Sequence, residues 1–219
     1  MDAGFIYLHG FASSPDSKKA AVFRREFAKR NLPLIVPDLE GGDFENLTLS
    51  RQIDIALDLI DTSSNRRIGL IGSSMGGYLA AILAELRKEI AAIYLMAPGF
   101  NFIGRWRERL QNEFAGETAV PPFVKVFHYR RGKEVRLNAF IFEDARKWDK
   151  IALSRELPTR IVHGLRDEAV DIGESRKFAR AAPWRVLVEL DSDHGLLDRV
   201  DWIAEDCLRF FQDENLLRL

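Results

Sequence analysis

One cysteine in the 219 residues, Cys207, excludes an internal disulfide, and its setting in WIAEDCLRFF, where apolar positions recur at helical spacing, makes it a core thiol rather than a nucleophile. Net charge is equally scarce. The 32 Lys and Arg stand against 33 Asp and Glu, so the field that dominates binding to polyanions is missing and nucleic acid is disfavoured as a partner. No stretch approaches 18 uninterrupted apolar residues, and MDAGFIYLHG lacks a charged segment leading into an apolar one. Neither a membrane span nor export is expected, and the location reads as cytoplasmic. The four histidines and the cysteine show no H-x-H, H-x-x-x-H or C-x-x-C spacing, so no metal site and no cofactor are expected.

What the chain does have is alternation. Short apolar runs at 4–9, 33–37, 67–72, 91–97, 159–163 and 185–190 read as strands. Between them, 17–31, 50–61, 76–87, 174–181 and 196–212 carry apolar residues at helical spacing. The pattern predicts an α/β fold, a mostly parallel sheet with helices on both faces, as one domain over 1–219. From about 100 to 150 the rhythm breaks into aromatics, arginines, Pro121-Pro122 and two short runs either side of Arg131-Gly132, which reads as a small inserted cap.

Gly72-Ser73-Ser74-Met75-Gly76 matches G-x-S-x-G between a buried strand and a helix, where a sharp turn presents the central hydroxyl above the sheet. Ser74, not Ser73, is thus the candidate nucleophile. A hydroxyl needs a base to take its proton, and the base needs a carboxylate to hold its tautomer. His194 follows the strand RVLVEL and precedes the last helix, in the place the order Ser, acid, His requires. The strand TRIVHG leads into LRDEAVD. Asp167, nearest the strand end, is the preferred acid and Asp171 the fallback, while Asp191 and Asp193 read as solvated turn residues. The oxyanion hole is expected from the amides of Met75 and Phe11, with Gly10 letting the loop turn and the Phe11 side chain incidental. His9 reads as a structural residue of that loop, and neither His163 nor His128 has an evident catalytic partner.

The segments GFIYLHGFASSPDSKKA, PDLEGGDF, LIGSSMGG, HGLRDEAV and ELDSDHGL together resemble the small YqiA-type α/β-hydrolase esterases over nearly the whole chain. A looser similarity, through Ser192-Asp193-His194, is to mitochondrial α/β-hydrolases that act as acyl-protein thioesterases. The resemblance implies an α/β-hydrolase fold and cleavage of a small-molecule carboxylic ester or acyl thioester, with the triad on Ser74, Asp167 and His194. It sets no oligomeric state. Where such relatives have D-x-x-V-P, this chain has Asp171 in place of proline, so a rigid turn is lost and the choice between Asp167 and Asp171 stays open.

Phe100, Trp106 and Phe127 are expected to bind the acyl group, with Phe102, Phe114, Phe123 and Tyr129 either sharing that wall or cementing the cap. Between 104 and 137, 8 Lys/Arg, Arg105 among them, face 4 Glu, Glu108, Glu113, Glu117 and Glu134. Such a cap either presents a solvated basic face or attracts an anionic leaving group such as coenzyme A. The rival readings are a catalytically silent relative that binds a ligand or a protein through the same pocket, and a serine perhydrolase or C–C hydrolase.

Overall fold

The computed structural model describes residues 3–113 and 121–217; Phe114 and Glu117 of the expected cap lie outside them. The chain runs β1 (Ala3–Leu8), α1 (Lys18–Ala28), β2 (Leu34–Ile35), α2 (Leu49–Thr62), β3 (Arg67–Ser73), α3 (Met75–Leu86) and β4 (Ile90–Met96). An insertion follows, α4 (Phe102–Glu113), β5 (Phe123–His128), β6 (Lys133–Asn138) and α5 (Phe140–Trp148), before β7 (Thr159–Gly164), α6 (Ile172–Arg180), β8 (Arg185–Leu190) and α7 (Val200–Asp213) close the chain.

Six strands form one sheet in the order β2-β1-β3-β4-β7-β8, and every pair is parallel. Because side chains alternate across a strand, Ile6, Leu8, Leu70 and Leu95 enter one core with α2 and α3, while Phe5, Tyr7, Ile71 and Tyr94 enter a second with α1 and α7. Each such side chain, fully buried, stabilises the fold by about 1.5–3 kcal/mol. Gly69 leaves room on the second face: a Cβ there would stand 2.9 Å from the Phe211 ring. Helix starts carry their own donors' partners, with Ser17 accepting from the Ala20 amide at 3.3 Å and Thr48 from that of Arg51 at 3.1 Å. Among the described residues no helix is long and apolar enough to cross a membrane.

Two boundaries differ from the sequence pattern. The strand expected over 33–37 shrinks to Leu34–Ile35 at the sheet edge, since Pro33 and Pro37 bracket it and neither can donate to a ladder. The closing helix starts at Val200, after a left-handed Leu196 (φ 54°) and a 3₁₀ turn over Leu197–Arg199.

The insertion is an antiparallel hairpin, β5 on β6, flanked by α4 and α5, with Gly132 at φ 62° in the hairpin turn. Phe102, Leu110, Val124, Val126, Leu137 and Ile141 join the same core as α2 and α3, so its inner face is continuous with the sheet's packing.

Strand order explains where a site belongs. From β1 the chain steps outward to β2, then returns to the far side of β1 as β3 and proceeds through β4 in the other direction. The loops leaving β1 and β3 therefore diverge and open a crevice at the carboxyl ends of these two strands. His9-Gly10-Phe11 follows the first and Ser74 the second.

Candidate active site

Ser74 sits at φ 53°, ψ −117°, a region that costs a non-glycine residue about 1–3 kcal/mol. Its neighbours hold it there. The Ser74 amide donates to the Met96 carbonyl at 2.8 Å, and its own carbonyl accepts from the amides of Gly77 at 2.9 Å and Gly99 at 2.8 Å. A Cβ on Gly72 would stand 2.6 Å from the Gly77 Cα, so the glycine is what lets β3 and α3 meet at this angle. Although Ser74 precedes α3, its hydroxyl caps no helix amide.

The hydroxyl instead faces His194. Ser74 Oγ lies 3.0 Å from His194 Nε2, and His194 Nδ1 lies 2.7 Å from Asp167 Oδ2. A carboxylate only accepts, so Nδ1 carries the ring proton and Nε2 is left to accept from the serine. The Asp167 side chain is completely buried. Burial by itself would raise its pKa, but hydrogen bonds from His163 and His194, the charge of His194 and the Val170 amide hold it well below the usual carboxylate range. Asp171 is elsewhere: its exposed carboxylate accepts from the Gly173 amide at 2.8 Å and caps α6. The acid in place of proline is thus a helix cap. Asp191 pairs with Arg166, and Asp193 accepts from the Leu196 amide at 3.0 Å.

The loop after β1 comes beside Ser74, since a Cβ on Gly10 would stand 3.3 Å from that of the serine. Among the described residues neither the Phe11 nor the Met75 amide has a hydrogen-bond acceptor. His9, buried, accepts from the Leu39 amide at Nε2 (3.2 Å), so its Nδ1 donates to the Gly10 carbonyl (3.0 Å); burial pushes its basicity down and keeps it neutral. The ring of Phe11 is not incidental, for it lies 5.5 Å from that of Phe44 and 5.9 Å from that of Trp106, joining the loop to the insertion.

The three aromatics expected at the substrate fare differently. Trp106, half-buried on α4, packs on Phe11, Phe102 and Phe142 beside this loop. Phe100 is 5% exposed and packs between Tyr78 and Phe178, as a core residue. Phe127 is 50% exposed; it projects from the hairpin face opposite Val124, Val126 and His128, against Tyr129 at 5.4 Å. The period of two along β5 turns its side chain outward, so its expected place in an acyl pocket is withdrawn.

Three residues escaped the sequence reading. His163, buried at the end of β7, reaches Asp167 Oδ2 at 3.0 Å, against the expectation that it has no partner in the site. The H-G-x-x-D spacing held that signal, because four residues on from a strand end bring the loop back over it. Arg105, counted with the basic cap, is not a solvated charge: it donates to the carbonyls of Phe100 at 3.0 Å, Gly99 at 3.0 Å and Ala169 at 3.3 Å. It thereby ties the loop behind Ser74 to the loop of Asp167. Lys19 on α1 is half-buried, and burial pushes its ammonium down to about 8 against the opposing pull of Asp167 and Asp193.

The model of UPF0227, described as an uncharacterised protein family, matches residues 4–211. Among curated proteins, one of Mycoplasma pneumoniae named "Putative esterase/lipase 2" is 33% identical over 101 residues, 43% of this chain and 37% of that protein. A Mycoplasma genitalium protein of the same name matches at 33% over 104 residues. The matched stretch thus spans little more than a third of these curated relatives. Among solved structures, mouse alpha/beta hydrolase domain-containing protein 10 superposes with a TM-score of 0.77 at 20% identity, over 98% of this chain and 90% of that one. Est1E from Butyrivibrio proteoclasticus gives 0.75 at 18%, over 97% and 88%. At these identities the likeness speaks for the fold alone: it is the α/β-hydrolase fold.

Proposed function

The chain belongs to the UPF0227 family, the YqiA-type group its motifs point to, and on that premise we propose that it is a serine hydrolase cleaving carboxylic esters or acyl thioesters. The observation that carries the reading is the continuous line from Ser74 Oγ through His194 to a buried, ionised Asp167, with steps of 3.0 and 2.7 Å. The naming of the curated relatives as esterase/lipase supports the same class.

In the proposed cycle Ser74 Oγ attacks the carbonyl carbon while His194 Nε2 takes its proton. Asp167 stabilises the imidazolium that forms. Negative charge moves onto the carbonyl oxygen, where the Phe11 and Met75 amides receive it, each by analogy worth about 3 kcal/mol to the transition state. The tetrahedral adduct collapses, the carbon–oxygen or carbon–sulfur bond breaks, and His194 gives its proton to the departing alcohol or thiol. Water, deprotonated by the same nitrogen, then attacks the acyl-enzyme and frees the acid and Ser74. Trp106 and the Phe11 ring offer an apolar surface beside the loop for the acyl chain.

Ser74→Ala tests the reading. Turnover of p-nitrophenyl butyrate should fall by at least about 10⁴-fold, and labelling by a fluorophosphonate probe should vanish, with the melting temperature unchanged. Undiminished turnover in Ser74→Ala would overturn it.

A further inference from the structure

The carboxylate of Asp167 is saturated. Its Oδ1 accepts from the amides of Ala169 at 2.9 Å and Val170 at 2.8 Å, and its Oδ2 accepts from His194 Nδ1 at 2.7 Å and has a second histidine nitrogen, His163 Nε2, 3.0 Å away. The second histidine is fully buried, and its Nε2 also lies 3.1 Å from the Val170 carbonyl. That nitrogen faces acceptors alone, so it must carry the proton. Its Nδ1 lies 2.7 Å from Ser175 Oγ on α6, a hydroxyl equally buried. With Nε2 protonated, the neutral ring accepts at Nδ1, and Ser175 donates there. Ser175 thus sets the tautomer of His163, as Asp167 sets that of His194.

We propose that His163, oriented by Ser175, is a positioning residue of the active site that acts through Asp167. The inference rests on the triad reading above. Two effects follow from sharing one oxygen. His163 ties the loop of Asp167 back to the end of β7, so that Oδ2 cannot swing away from His194. Its N–H also draws charge from Oδ2 and moderates the pull of that oxygen on the His194 Nδ1–H. The other charges around this group are Glu189, opposite His163 on β8 and paired with Arg176 of α6 at 2.7 Å, and Lys19 and Arg105, which act on Asp167 from α1 and α4.

The test compares His163→Ala, His163→Gln and Ser175→Ala in the full chain. Gln can place an amide N–H where Nε2 stood. In His163→Ala, kcat on p-nitrophenyl butyrate should fall about tenfold with KM within about twofold, the rate equivalent of one charged hydrogen bond. The acid limb of its kcat–pH profile should move up by about one pH unit, because Oδ2 without His163 beside it carries more charge and holds the His194 imidazolium more strongly. In proton NMR, the His194 Nδ1–H resonance, identified by its loss in His194→Gln, should move further downfield. His163→Gln should stay near the wild type in all three measures, and Ser175→Ala should move the same way as His163→Ala but less. An unmoved resonance and acid limb in His163→Ala, or Gln no better than Ala, would overturn the proposal. Should His163→Ala not fold, Ser175→Ala decides, and its identity with the wild type is equally fatal. A wild type that neither cleaves esters nor takes up fluorophosphonate sinks the hydrolase reading instead, while the resonance still judges His163.

Discussion

The Gly76 backbone packs so closely on Leu8 that a Cβ there would fall on the Leu8 carbonyl oxygen, with the His9 carbonyl oxygen 2.7 Å away. This contact presses the start of α3 against the end of β1, and so brings Ser74 beside the loop of Gly10 and Phe11. Backbone cannot yield as a side-chain tip can. Gly76→Ala should therefore cost about 3 kcal/mol or more, or prevent folding, as read by urea unfolding. A variant within about 1 kcal/mol of the wild type would contradict the packing.

Asp167 and Asp171, four residues apart, hold different partners and should fail differently. Asp167→Asn should cut kcat by about 10⁴-fold, because an amide donor opposite Nδ1 reverses the tautomer of His194. Asp171→Ala should leave kcat unchanged and cost about 1 kcal/mol of stability, the worth of a lost helix cap. Ester kinetics beside chemical denaturation separates the two. The reverse pattern would move the acid to Asp171.

Lys19 binds its proton more weakly in the fold, at about 8, than in the open chain, at 10.5, because burial disfavours the ammonium. The burial cost is complete below pH 8, fades as pH rises toward 10.5 and is absent above it. Lys19→Met should accordingly be more stable than the wild type at pH 7, and the advantage should shrink between pH 8 and 10.5. A gain independent of pH in urea unfolding would mean that packing, not charge, was the cause.

Trp106 and Phe127 make a second contrast, within the insertion. Trp106→Ala removes a ring that packs on Phe11, and should raise KM for p-nitrophenyl hexanoate about tenfold while changing the acetate little. Phe127→Ala removes an exposed ring, and kcat/KM for both esters should stay within about twofold of the wild type. An unchanged KM for the hexanoate in Trp106→Ala, or a loss confined to the hexanoate in Phe127→Ala, would contradict this assignment.

The alternation of apolar runs and amphipathic stretches by itself determined the α/β class, because a parallel sheet buried on both faces needs unbroken apolar strands and one-sided helices. Ser74 was legible for a similar reason: a strained turn between strand and helix demands glycine at fixed offsets, and that demand is written locally in five residues. His194 followed from its place after the last strand. The tertiary structure alone decided what depends on convergence. Asp167 and Asp171 look alike in the chain, and only the meeting of the loops after β7 and β8 puts one of them on His194 Nδ1 and leaves the other on the Gly173 amide. Only the loop folding back over its strand brings His163 to Asp167, only the convergence of three carbonyls turns Arg105 from a surface charge into a tie between loops, and only the hairpin's face turns the Phe127 ring outward. Periodicity reports which side chains are buried; the partner of a hydrogen bond is chosen by the fold.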